Sequence, residues 1–117
     1  MNTIIISDIT NEAASKTKGL VLKEHLEKLL ASNADNIIVD FNGITRFASP
    51  FFNYSFAALA LVYGFDTIHA IQIRNLSQVG SETYKTSMEN AEMVSRHPEH
   101  IQEINQIIDN TPKKVIL

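Results

Sequence analysis

The sequence predicts a small α/β domain of element order β-α-β-α-β-α-α, with a short, mostly parallel sheet and helices packed on it. Two runs rich in β-branched residues, TIIISDI at 3–9 and NIIVDF at 36–41, are typical of strands. Between them, leucines recur with helical spacing at positions 22, 26, 29 and 30. Strands joined through helices are expected to be parallel neighbours with right-handed crossovers.

The second strand and its flanks carry more local information. NIIVDF is apolar almost without interruption, which is typical of a strand buried on both faces of a sheet. The Asn42-Gly43 pair that follows is typical of a turn. Gly19, which precedes the leucine series, indicates either a break or a close approach of another backbone.

The stretch RFASPFFNYSF, residues 46–56, opens the second predicted helix. Ser49 is predicted as its N-cap and Pro50 as its first residue, because the N–H that proline lacks would be unpaired there in any helix. The helix is expected to run to about Tyr63, where Gly64 provides a C-terminal stop.

The rest of the chain continues the alternation of strands and helices. TIHAIQIR, at 67–74, is predicted as the third strand, and a helical pattern runs from Ser81 to a break at His97-Pro98. The stripe of that helix consists of Tyr84, Met88 and Ala91. A short last helix is marked by isoleucines at 101, 104, 107 and 108, and KKVIL at 113–117 is either a tail or an edge strand.

Composition limits the classes of function. The 117 residues predict a single domain, 1–117, that can bury a core, with a formal net charge of −3 and no cysteine. We therefore expect no nucleic-acid or membrane partner, no disulfide and no cysteine-based metal site. The N-terminal apolar run is too short for a signal peptide or a membrane span, and we expect a cytoplasmic protein.

The second helix is apolar nearly all the way round, with FFNYSFAALALVY interrupted only by Asn53 and Ser55. An ordinary surface helix has a polar half. Two interpretations remain open. The helix is buried between the sheet and a later helix, or one face of it is covered by a partner or a second copy of the chain.

The stretch IIVDFNGITRFASPFFNYSFAALALVYG, at 37–64, resembles the central motif of the STAS-like family of unknown function. The motif is a strand ending in Val-Asp-Phe, a Gly-Ile turn, a small residue with a serine, and a helix opening with phenylalanine. The resemblance covers about Gly19 to Asn75. It implies a STAS-like fold similar to the domains of anti-sigma-factor antagonists.

In those antagonists an Asp-Ser pair opens the equivalent helix, and a partner kinase phosphorylates the serine. The matching positions here are Ala48 and Ser49, and Phe51 stands where a glycine usually follows. The serine matches, while the acidic neighbour and the glycine do not. The resemblance thus implies Ser49 as a possible phosphorylation site, whereas the residues alone favour a capping role, and one serine can have both roles. The implied partner-binding residues are Thr45, Arg46, Phe47, Ser49, Phe51, Phe52, Asn53 and Phe56.

Asp40, Phe41 and Gly43 are motif residues for which we expect structural roles. Asp40 stands at the carboxyl end of a strand, where α/β sheets place ligands, but it is expected to accept hydrogen bonds from the turn at Asn42 and Gly43. Arg46 is expected to pair either with Asp40 or with an acidic group of a partner.

Other candidate chemistry is sparse, and we predict no catalytic, cofactor or metal site. His97, Glu99 and His100 in RHPEH are residue types that bind metals, but Pro98 interrupts any single helical face, and we expect a solvated helix junction there. His25 is expected on the polar side of its helix, and His69 in the third strand. The glycine-rich phosphate and dinucleotide motifs and the nucleophile elbow are absent from the sequence.

Three functions remain open. The first is a non-enzymatic protein-interaction module in a bacterial signalling pathway, for which the resemblance implies a histidine-kinase-like ATPase as partner. The second is a small-ligand-binding or enzymatic domain with a cleft near Asp40, Ser49 and Asn75. The third is a self-associating domain whose apolar helix forms a homodimer.

Overall fold

A computed structural model describes residues 2–96. It contains a parallel three-stranded sheet of order β1-β2-β3, formed by Thr3–Ile5, Ile38–Asp40 and Gln72–Arg74. Helices alternate with these strands, which confirms the α/β class and the predicted order β-α-β-α-β-α over this part of the chain. His97, Glu99 and His100, the predicted last helix and KKVIL lie outside the described residues.

Helix α1, Lys16–Ala31, follows β1 and a short 3-10 helix at Ile6–Asp8. Ser15 caps α1, since its side chain accepts a hydrogen bond from the Lys18 amide at 3.1 Å. Gly19 lies inside α1 and does not break it. A Cβ at this position would be 2.6 Å from the Phe51 carbonyl oxygen, so the predicted close approach is the correct alternative.

The central helix, residues 49–63, has three consecutive segments. It is α-helical at Ser49–Phe52 (α2), π-helical at Asn53–Ala57 and α-helical again at Ala58–Tyr63 (α3). The prediction of Ser49 as N-cap is wrong. Ala48 is the N-cap, because a hydrogen bond from its amide to the Ala13 carbonyl holds it in an extended conformation. The predicted stop is confirmed by Gly64, which has a φ of 97°.

The third strand is shorter than predicted. Phe65–His69 forms a short helix (α4), and only Gln72–Arg74 is extended. The isoleucine spacing in TIHAIQIR fits a helix as well as a strand. Ile68 and Ile71 are three residues apart, as on one face of a helix, and both side chains are buried in the core. His69 is therefore at an exposed helix end instead of in a strand.

The last described helix, α5, spans Gln78–Ser95 and starts three residues before the predicted Ser81. The Ser77 side chain caps it by accepting a hydrogen bond from the Gly80 amide at 3.2 Å. The predicted stripe is confirmed in that Met88 and Ala91 are buried, with Tyr84 packed against the core.

The two faces of the sheet are not equally covered, which corrects the prediction of a strand buried on both faces. Ile4, Val39 and Ile73 form one cross-strand row and belong to the core. Their neighbours Ile5 and Arg74, on the opposite face, are exposed. Since each right-handed crossover leads to the adjacent strand in the same direction, α1 and the central helix lie on the same face.

Candidate functional site before the central helix

Main-chain pairing fixes the segment that precedes the central helix. The Ala13 amide donates to the Arg46 carbonyl at 3.0 Å, and the Ala48 amide donates to the Ala13 carbonyl at 3.1 Å. Phe47, between these two bonds, packs its ring 6.1 Å from Phe41. The loops that enter α1 and the central helix therefore form one connected surface, on which the exposed residues include Thr45, Arg46 and Ser49.

Ser49 is the first residue of the central helix, its side chain is exposed, and no side chain caps the start of this helix. The groups around it provide few donors. Pro50 has no N–H, and the Phe51 amide already donates to the Ala48 carbonyl at 3.2 Å. The hydroxyl of Ser49 thus does not stabilise the helix start in the way that Ser15 and Ser77 stabilise theirs.

Arg46 pairs with Glu12 and not with Asp40. The Nη1 to Oε2 distance is 3.2 Å, and the side chains are 74% and 51% exposed. Glu12 lies opposite Arg46 because the neighbouring Ala13 pairs with Phe47. Glu12 was not predicted from the sequence, because nothing local indicates a contact across 34 positions.

Most of the predicted partner-binding aromatics are in the core. Phe51, Phe52 and Phe56 are 0% exposed, so the prediction that they form a surface is not compatible with this structure. They are covered by α1 and by α5, whose Tyr84 ring lies 5.7 Å from that of Phe52. Of the two interpretations of the apolar helix, burial between other elements of the chain is therefore the one that the structure supports. The argument for a homodimer through this helix no longer applies.

Asn53, another predicted partner-binding residue, already makes a hydrogen bond within the chain. Its side-chain oxygen accepts a hydrogen bond of 2.6 Å from the Ser87 hydroxyl, which joins the π-helical segment to α5. In the same segment the buried Ser55 hydroxyl donates to the Phe51 carbonyl at 2.7 Å. The exposed part of the predicted surface is accordingly Thr45, Arg46 and Ser49, with the half-buried Phe47 beneath them.

Asp40 organises the carboxyl end of β2. Its Oδ1 accepts hydrogen bonds from the Asn42 amide at 2.9 Å and from Asn75 Nδ2 at 2.8 Å. The Asn75 bond, the Asn42 bond and the nearby Arg74 guanidinium together hold the pKa of Asp40 below its usual value. The expected bond from Asn42 is confirmed, and Gly43 supplies the turn through a φ of 86°.

Phe41, the third motif residue, is fully buried and donates its amide to the Arg74 carbonyl at 2.9 Å. Asp40 and Asn75 come together as predicted, but no cleft described here is lined by either of them. A cleft of about 520 Å³ lies instead between β1 and α1, and it is lined by residues 7–12 with Ala14, Ser15 and Lys18. No group of three metal-ligating side chains occurs within residues 2–96, and His25 is exposed.

Comparison with known proteins adds a family but no individual relative. No curated protein and no solved structure matches the chain. Among the helices of residues 2–96, none has both the length and the apolarity needed to cross a membrane. A family model described as a STAS-like domain of unknown function matches residues 18–80, which include most of α1, β2, the central helix, β3 and the start of α5. Because this match spans more than half of the sequence, the chain belongs to the family of STAS-like domains of unknown function.

Proposed function

We propose that the protein is a non-enzymatic interaction module whose binding to a partner protein is controlled by phosphorylation of Ser49. The observation that carries the proposal is the position of this serine: it is exposed at the start of the central helix, which no side chain caps. Main-chain pairing with Ala13 fixes the adjacent segment, so the serine is presented at a defined position.

The proposed partner is an ATPase of the histidine-kinase-like class, as in the anti-sigma-factor-antagonist systems that the family resembles. In the transfer step, Ser49 Oγ forms a bond to the γ-phosphorus of ATP held by the partner. The bond between that phosphorus and the leaving ADP oxygen breaks, and the hydroxyl proton passes to a base of the partner. The domain supplies only the nucleophile.

Phosphorylation would change the surface by charge and leave the core intact. A phosphoserine carries about −1.5 to −2 charges at neutral pH. If Thr45, Arg46 and Ser49 lie in a desolvated contact, this charge is costly to bury and the partner is released. Since the neighbouring Phe51 and Phe52 are already packed inside, the switch requires no unfolding of the domain.

The test is affinity capture from lysate of the native host with four baits: wild type, Ser49→Ala, Ser49→Asp and Ser95→Asp. Ser95, exposed in the last turn of α5, is the matched control. The Ser95→Asp variant adds the same charge at a distance from the site. Ser95 lies roughly 22 Å along α5 from Gly80. Gly80 is next to the ring of Phe47 at the site. Phosphopeptide mapping of the protein recovered from the host completes the experiment.

We expect an ATPase that is retained by wild type, Ser49→Ala and Ser95→Asp but lost by Ser49→Asp, together with a phosphate mapped to Ser49. Equal retention by both aspartate variants would show that Ser49 does not control binding. An unmodified Ser49 under all growth conditions would remove the phosphorylation from the proposal.

The two other functions lack a comparable feature within residues 2–96. Asp40, the central residue of the ligand-binding hypothesis, is engaged by Asn42 and Asn75. The self-association hypothesis depended on an uncovered central helix, and α1 and α5 cover it. Light scattering of the purified protein measures self-association directly.

A further inference from the structure

We infer that Arg46 is the group that binds a phosphate on Ser49 and that Glu12 holds Arg46 in the unmodified protein. The inference rests on the proposed function in that it concerns the phosphorylated form of Ser49. It adds the internal receptor of the phosphate and a second acidic group that the modification releases.

The main chain at the helix start offers few free N–H groups to a phosphate on Ser49. Helix N-termini bind anions through free N–H groups, but here most of these groups are absent or already bonded. The Ala48 amide donates to Ala13, Pro50 has no N–H, and the Phe51 amide donates to Ala48. A doubly charged phosphate on Ser49 therefore needs a cationic side chain.

Arg46 is placed to provide that cation. It lies three residues before Ser49, and three extended residues span at most about 10 Å, a gap that an arginine and a phosphoseryl side chain reaching towards each other can close. Phe47 points into the core, where its ring lies 6.3 Å from that of Phe52, so the alternation of an extended segment directs Arg46 outward. The planar guanidinium also matches phosphate oxygens in a bidentate arrangement.

A second cation that contacts the central helix, Lys16, has a different partner. Lys16 Nζ lies 4.9 Å above the ring of Tyr54, in the π-helical segment of the central helix. It serves as the competing candidate in the test.

Glu12 and the phosphate would compete for the same guanidinium. The existing pair is exposed on both sides, and exposed pairs of this type contribute little to stability. A phosphate has more negative charge than a carboxylate and lies only three residues from Arg46, so it displaces Glu12. Phosphorylation then presents a partner with a phosphate that is only partly neutralised by Arg46 and with an unpaired Glu12 carboxylate on the loop before α1. The switch thereby alters two segments of the surface.

The test uses full-length protein with phosphoserine introduced genetically at position 49, and it needs neither kinase nor partner. The second pKa of the phosphate, about 6 for a free phosphoserine, is followed by phosphorus NMR in four backgrounds: wild type, Arg46→Gln, Glu12→Gln and Lys16→Gln. All three substitutions are at exposed positions, and circular dichroism checks that each variant is folded.

Arg46→Gln is expected to raise the phosphate pKa by about 0.2 to 0.7 of a pH unit relative to wild type, which is the range set by exposed ion pairs. Glu12→Gln is expected to lower it, because the competitor is gone, and Lys16→Gln to leave it unchanged. An unchanged pKa in Arg46→Gln, or a rise in Lys16→Gln alone, would overturn the inference. Equal retention of the ATPase by Ser49→Asp and Ser95→Asp in the capture experiment would refute the proposed function and leave this result standing.

Discussion

A substitution of Gly19 by alanine tests the packing of α1 on the central helix, and the sign of its effect is informative. In an exposed helix interior, Gly→Ala stabilises a protein by roughly 1 kcal/mol, since alanine has the higher helix propensity. At Gly19 the new Cβ would be 2.6 Å from the Phe51 carbonyl oxygen and 3.2 Å from the Phe51 carbonyl carbon.

The obstacle is main chain, so it cannot move aside as a side chain would. Ordinary contact begins at 3.4 Å, so the two helices must separate by about 0.8 Å. Overpacking costs typically about 1–3 kcal/mol, and a clash with main chain belongs in the upper part of that range, about 2–3 kcal/mol, which exceeds the gain in propensity. We expect a net loss of roughly 1–2 kcal/mol in the free energy of unfolding.

Urea denaturation followed by circular dichroism measures this loss. With a slope of roughly 1.5 kcal/mol/M, the midpoint should fall by about 1 M. His25→Ala is the matched control, because His25 is exposed in the same helix and its replacement should raise stability by a few tenths of a kcal/mol. If Gly19→Ala raised the midpoint as the control does, the close approach of the two helices would be wrong.

Three further predictions concern the core, the junction with α5 and the turn after β2. Phe52→Ala should cost about 3–5 kcal/mol in urea denaturation, because the ring is fully buried among other aromatic rings. Val62→Ala, at a residue that is 74% exposed, should change the midpoint little, and equal losses would contradict the assigned core. Ser87→Ala should cost about 0.5–1.5 kcal/mol through loss of the hydrogen bond to Asn53, and no further loss should follow when Asn53→Ala is added. Asp40→Asn should be less stable than wild type at neutral pH, because a folded-state pKa below the ordinary 3.8 stabilises the protein above that pH. The difference should shrink as the pH falls from 3.8 through the lower folded value, and a difference independent of pH from 7 to 3 would refute the role of the carboxylate charge.

Local patterns were sufficient for the elements whose signals lie within a few neighbouring residues. Strand β2, helix α1, the stop at Gly64 and the turn at Gly43 depend on periodicity or on the conformational freedom of glycine, and the structure confirms them. The family motif is also local, and the match over residues 18–80 confirms the resemblance. Local signals failed at 67–70, where the isoleucine spacing suits a helix as well as a strand.

The candidate site depended on contacts that no local pattern encodes. Ser49 is not an N-cap because Ala48 is held extended by Ala13, 35 positions earlier, and Arg46 pairs with Glu12 across a similar separation. The sequence by itself determined that an apolar helix with a serine at its start follows a parallel strand. Only the tertiary structure decided that α5 covers its aromatic residues and that Ser49 stays exposed, because burial depends on which distant segments pack together and not on residue type alone.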